Sequence, residues 1–104
     1  LAAKQISETE FKSEVTEHDG WVLVDFFAAW CGPCRWLAPL LDRFAEQHAG
    51  TVKVVKMDTD EFEEFSEKLG VRKIPTVISF RNGQEVRRAI NPQSKEALEA
   101  LVQE

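Results

Sequence analysis

Cysteine is scarce: the 104 residues hold only Cys31 and Cys34. Two are too few for the disulfide scaffold of a small secreted domain. A bridge between residues so close in sequence closes a very small ring and constrains little of the unfolded chain. The pair is better suited to opening and closing than to stapling. Positive charge is also in short supply. Thirteen Lys and Arg stand against eighteen Asp and Glu, a net charge of −5, which argues against a nucleic-acid binder. Long apolar runs are missing. The longest, Trp21–Val24 and Phe26–Cys31, are parted by Asp25, and neither approaches the ~18 residues of a membrane span. No basic segment followed by an apolar stretch opens the chain, although residue 1 is Leu rather than Met, which implies a trimmed or processed start. Internal repeats, low-complexity tracts and Pro/Gly/Ser linkers are absent, so residues 1–104 read as one domain.

What is present suffices for a core. Hydrophobic residues make up 43% and charged residues 30%, an ordinary globular balance. Seven Phe and three Trp supply the apolar bulk that offsets ordering entropy. A chain of this length buries somewhat over ~60% of its unfolded surface.

The pattern predicts an order α β α β α β β α, with room for a short strand before the first helix. Ser7 and Glu10 make a capping box; Phe11 and Val15 follow on one helical face, and Gly20 ends the segment. Trp21–Ala28 is apolar on both alternating faces, as a central buried strand is. From Cys34 to His48, Leu37, Leu40, Leu41, Phe44 and Ala45 form an apolar stripe closed by Gly50. Thr51–Met57 reads as a strand. Phe62, Phe65 and Leu69 give a helix over 60–69. Thr76–Phe80 and Glu85–Ile90 flank Asn82-Gly83, a strong hairpin turn. Pro92 suits the first turn of a last helix whose buried face is Ala97, Leu98, Leu101 and Val102. Such an order implies an α/β fold: a mixed sheet with helices on both faces.

Cys31-Gly32-Pro33-Cys34 falls where a buried strand hands over to a long helix. At a helix start, unpaired N–H groups and the macrodipole favour an anion, so the Cys31 thiolate should be stabilised. Cys34, within the first turn, reaches back to it. Pro33 is tolerated there because its missing N–H would be unpaired anyway. Cys31 is thus the expected exposed nucleophile and Cys34 the inner, resolving thiol. A zinc site would need two further ligands. His48 is about 21 Å along the helix from Cys34, and only His18 remains, so no metal is expected. Nor is a His evidently placed as base for a Cys–His hydrolase. Asp25, inside an apolar strand, is costly unless used or partnered. Either it faces water at a strand edge, or it is a desolvated carboxyl of raised pKa able to take a proton from Cys34. Lys56, in the next strand, could pair with it or simply be solvated. Trp30 could shield the thiolate, form a contact surface, or pack in the core. Trp21 and Trp36 read as packing, and the acidic run 58–64 as a solvated helix start. Ile74-Pro75 opens a strand, and the pattern alone does not choose between cis and trans.

Taken together, Val24-Asp25-Phe26, Trp30-Cys31-Gly32-Pro33-Cys34, Ala38-Pro39, Lys56 with Asp58, Ile74-Pro75-Thr76 and Phe80-Arg81-Asn82-Gly83 resemble the thioredoxin family, over essentially the whole chain. A Cys-x-x-Cys near a βαβ pattern is a recognised sign of that class. The resemblance implies a thioredoxin fold, a central mixed sheet of four to five strands flanked by four α-helices. It also implies a cis Pro75 opposite the dithiol and a kink at Pro39. It makes Trp30, Gly32, Pro33, Ile74 and Pro75 the surface that docks substrate proteins, with Ile90 and Asn91 at the patch beside it. Asp25 becomes the buried proton acceptor and Lys56 its neighbour. Three departures stand out. Phe27 replaces a second Trp, Arg35-Trp36 replaces the commoner Lys-Met, and Asn91 stands where the docking patch usually has Gly.

The expected function is that of a protein-disulfide reductase, monomeric and cytoplasmic. It would act on proteins carrying disulfides, be re-reduced by an NADPH-dependent thioredoxin reductase, and bind no cofactor besides its own Cys31–Cys34 couple. Two other readings share the residues: a thiol oxidant or isomerase in an oxidising compartment, and a partner-binding module whose redox chemistry is secondary.

Overall fold

The central strand of the sheet is the one with no polar face. β2 (Trp21–Phe27) has both neighbours filled, parallel β3 (Val52–Asp58) on one side and antiparallel β4 (Thr76–Arg81) on the other. The computed structural model describes residues 3–104. β1 (Lys4–Gln5) adds to β3 in parallel and β5 (Gln84–Ile90) to β4 in antiparallel, so the strand order is β1-β3-β2-β4-β5. The short strand before the first helix is therefore present, and the mixed five-stranded sheet matches the expected fold class.

Each face of β2 meets its own helices. Val22, Val24 and Phe26 join Val55, Met57 and Ile78 under α1 (Glu8–Phe11) and α3 (Glu63–Lys68), which contribute Phe11 and Phe65. Leu23 joins Val54 and Val77 on the opposite face. There α2 (Gly32–Gln47) supplies Leu37, Leu41 and Phe44, and α4 (Lys95–Leu101) supplies Leu98 and Leu101. Each such side chain stabilises the fold by about 1.5–3 kcal/mol relative to exposure. Among the described residues, no helix is long and apolar enough to cross a membrane.

Local signals and observed elements differ in several places, and α3 begins at Glu63 rather than at residue 60. The capping box forms, with the Glu10 carboxylate accepting from the Ser7 N–H at 2.9 Å. The helix then widens into a π-helical segment, Lys12–Thr16, in which the Glu17 N–H reaches the Lys12 carbonyl. α2 starts at Gly32, two residues before the expected start, because Cys31 itself is the cap. Pro39 lies inside α2 without ending it. Pro92 is not in the first turn of α4. It is buried ahead of that helix, whose cap is Ser94, its hydroxyl accepting the Ala97 N–H at 3.1 Å.

The hairpin turn is as expected. Asn82 and Gly83 both have positive φ, 50° and 82°, the geometry that matches strand twist in a two-residue loop. Asn82 Oδ1 also accepts the Gly20 N–H at 2.7 Å. Gly83 has a second constraint: a Cβ there would collide with the Thr16 carbonyl oxygen, a backbone atom. Gly83→Ala should therefore destabilise by about 1–3 kcal/mol, read as a lower urea midpoint at unchanged slope.

Candidate active site

β2 ends at Phe27, and the chain turns through 28–30 into α2. Cys31 is the N-cap of that helix, with extended backbone (φ −85°, ψ 112°). Its Sγ accepts the Cys34 N–H at 3.2 Å, so a helix-start donor that would otherwise be unpaired points at this sulfur. Cys31 and Cys34 are joined as a disulfide, their Cα atoms 5.2 Å apart. The bonded sulfurs pack among Ala28, Phe27 and Ile74.

The expected contrast of an exposed Cys31 and an inner Cys34 is corrected here. In the oxidised site the two are 4% and 3% exposed. What distinguishes them is electrostatic: Cys31 Sγ takes the helix N–H. The Ile74 carbonyl also lies 3.9 Å from Cys31 Sγ, an acceptor for the thiol proton once the bond is reduced.

Ile74–Pro75 is a cis peptide, as the resemblance implied. The Pro75 carbonyl accepts the Asn91 N–H at 2.7 Å, which ties the end of β5 to this turn. Asn91 sits at φ 52°, the left-handed region that favours Gly and that Asn tolerates better than most other residues. Its backbone thus keeps the shape a Gly would take while adding a side chain.

Five of the expected docking residues line two clefts, whereas Pro75 is buried and Ile90 lines neither. A cleft of about 430 Å³ is lined by Gly32, Pro33, Trp36, Asn91 and Gln93. A second, of about 210 Å³, has Trp30 and Ile74 among its walls. Ile90 is 58% exposed and Trp30 68%. Trp30 is therefore surface rather than core, and its orientation is set by Nε1–H donating to Asp60 Oδ2 at 2.8 Å. Trp36, read as packing, is 56% exposed and corrected to a cleft wall. It projects from the side of α2 away from Leu37 and Leu41. Trp21 does pack, with the Arg81 guanidinium 5.1 Å from its ring centroid.

Asp60 is the site residue that sequence reasoning missed. It lies in the acidic run read as solvated. The Asp58 carboxylate accepts the Asp60 N–H at 2.9 Å and so shapes the turn that brings Asp60 to the indole. An Asp-x-Asp after a strand carries that turn signal, but nothing local points to a Trp thirty residues away.

Asp25 is buried, 1% exposed, so the strand-edge reading is excluded. Burial pushes its carboxyl up from 3.8 to about 7, against a smaller lowering by Lys56. Lys56 is its Cα partner across the β2–β3 ladder. Asp25 Oδ1 nevertheless has no hydrogen-bond partner, and the Lys56 ammonium lies 4.6 Å from the centroid of the Phe27 ring. Among the described residues, no group of three or more His, Cys, Asp or Glu is arranged to hold a metal.

A redox-active Cys-x-x-Cys disulfide capping a helix, set beside a cis proline on this sheet, defines a thiol–disulfide oxidoreductase whose chemistry is dithiol–disulfide exchange. The thioredoxin family profile matches residues 2–104. Among curated relatives, thioredoxin 1 of Nostoc sp. is 49% identical over 85 residues, 82% of this chain and 79% of the relative. Thioredoxin of Alicyclobacillus acidocaldarius is 46% identical over 99 residues, 95% of this chain and 93% of its own. Thioredoxin of Porphyra purpurea is 39% identical over 102 residues, 98% and 95% of the two chains. The chain belongs to the thioredoxin family.

Proposed function

We propose that this oxidoreductase runs in the reducing direction, as a protein-disulfide reductase. The observation that carries the assignment of roles is the Cys34 N–H on Cys31 Sγ at a helix start, which favours the Cys31 thiolate. That thiolate attacks one sulfur of a substrate disulfide. The substrate S–S bond breaks, one substrate thiolate leaves, and a mixed disulfide forms through Cys31. Cys34 then loses its proton, with Asp25 as acceptor, and attacks Cys31 Sγ. The mixed disulfide breaks, the second substrate sulfur leaves as a thiol, and Cys31–Cys34 is the product. Two electrons have passed to the substrate. An external donor restores the dithiol, and an NADPH-dependent flavoprotein reductase is the donor this reading assigns. Lys56 moderates the Asp25 carboxyl. Trp30, Gly32, Pro33, Ile74, Pro75, Ile90 and Asn91 form the docking surface for substrate proteins, a reading supported by one cleft that includes Trp30 and Ile74 and another that includes Gly32, Pro33 and Asn91. The reading extends to a monomer in the cytoplasm, since a reductant requires a reducing pool.

The test is the redox equilibrium of the Cys31–Cys34 couple against a dithiol buffer, followed by Trp fluorescence. A potential near about −270 mV is expected; that figure is the general one for thioredoxins and does not come from this geometry. A value near the about −120 mV of a disulfide oxidant would overturn the reducing direction while leaving the exchange chemistry in place.

A further inference from the structure

Register places Lys56 to pair with Asp25, yet its ammonium is elsewhere. The two residues are partners in the β2–β3 ladder, on the sheet face that α2 covers. The Lys56 Nζ stands over the Phe27 ring, two residues along β2, at 4.6 Å from the centroid. Asp25 Oδ1 is buried with no partner. An aromatic face attracts a cation through its quadrupole, so the ring and the carboxylate compete for one ammonium on a flexible four-carbon stem.

We propose that Phe27 is a positioning residue: its ring seats the Lys56 ammonium and keeps it from closing onto the Asp25 carboxyl. A cation closed onto that carboxyl would favour the ionised form and weaken it as a proton acceptor. Seated on the ring, Lys56 acts on Asp25 only through space. One other charge shares this face: Asp58, the register partner of Phe27 on β3, whose carboxylate accepts the Asp60 N–H at 2.9 Å. β4 places Val77 opposite Asp25, α4 contributes Leu98 and Leu101, and the α2 side brings Cys31 and Cys34, which carry no proton as a disulfide. Phe in place of the Trp that the family usually has here makes a weaker seat, because a Trp face binds cations best.

The bearing on catalysis rests on the proton-acceptor role given to Asp25 above; the titration that tests the seat does not. The oxidised protein is titrated by carboxyl ¹³C NMR at Asp25, so neither thiols nor substrate enter. Phe27→Leu should lower the Asp25 midpoint by about half a pH unit, the size of one partly exposed cation–π contact. Phe27→Trp should not lower it. In a Lys56→Met background Phe27→Leu should leave the midpoint unmoved, because the seat has lost its cation. Phe27→Met, which keeps the bulk without the ring, replaces Phe27→Leu if that variant does not fold, and the same fall is expected. An unchanged or raised midpoint in the ringless variant would overturn the proposal. So would a fall that persists without Lys56.

Discussion

Asp25→Asn is expected to stabilise the oxidised protein at pH 8 relative to pH 4 by roughly 3–4 kcal/mol. The sign follows from where the proton sits. The folded carboxyl is pushed up to about 7, whereas the ordinary value is 3.8. Between those values the native state holds a proton that the unfolded state has released, so parent stability falls as pH rises. Above about 7 both states are ionised and the loss is complete; below 3.8 both are protonated and nothing is lost. The full interval is worth about 4 kcal/mol at 1.36 kcal/mol per unit. Asn has no such proton. Comparing each variant with itself at two pH values cancels the effect of the amide's own hydrogen bonding. Urea unfolding of both proteins at pH 4 and pH 8 provides the measurement. Equal pH dependence in parent and variant would mean that the Asp25 carboxylate is not destabilised by burial. On the proton-acceptor role proposed for Asp25, the same substitution should also slow release of the mixed disulfide.

The contrast between residues that could be read in advance and those that could not follows the range of the forces involved. The Asn82-Gly83 turn, the Ser7–Glu10 box and the two apolar faces of β2 depend on neighbours within a few positions, and all three stand as the pattern predicts. The start of α4 is also local, but Pro92 carries a propensity while Ser94 carries a bond, and the bond sets the boundary. Trp36 and Trp30 required tertiary knowledge. A Trp beside an apolar stripe reads as core until the helix is docked. Only then does Trp36 fall on the side of α2 away from Leu37 and Leu41. Asp60 is further out of reach, because its meaning is the indole it holds from across the fold. At the dithiol, spacing and position at a strand-to-helix junction carried the chemistry. The near-equal burial of the two sulfurs involves Ile74, from a distant part of the chain. Asp25 shows the middle case: a charged residue in a buried strand is a visible anomaly, but that its neighbour's ammonium rests on Phe27 is a matter of side-chain geometry.

Cys34→Ser should lose most of its turnover, and the character of that loss matters more than its size. Cys31 remains at the helix start, where the backbone N–H of residue 34 still reaches its sulfur, since that donor is main chain and survives the substitution. Attack on a substrate disulfide therefore proceeds, but the serine hydroxyl cannot displace the mixed disulfide. The intramolecular partner has been lost, and only external thiols can release the substrate. Because a neighbour held in place acts like a very high local concentration, turnover should fall by at least on the order of 10³-fold, with a covalent adduct accumulating through Cys31. Cys31→Ser should lose turnover as well but accumulate no adduct. Cys34 lies behind the cap, lacks the helix N–H that Cys31 receives, and would depend on Asp25 for its proton. Mass spectrometry of each variant after incubation with a disulfide-bonded protein, without added reductant, separates the two outcomes. An adduct on Cys31→Ser with none on Cys34→Ser would exchange the roles of the two cysteines and refute the assignment of the nucleophile from the helix cap. With no adduct on either, capture would not proceed through a mixed disulfide on this pair, and the reductase reading would fall with it.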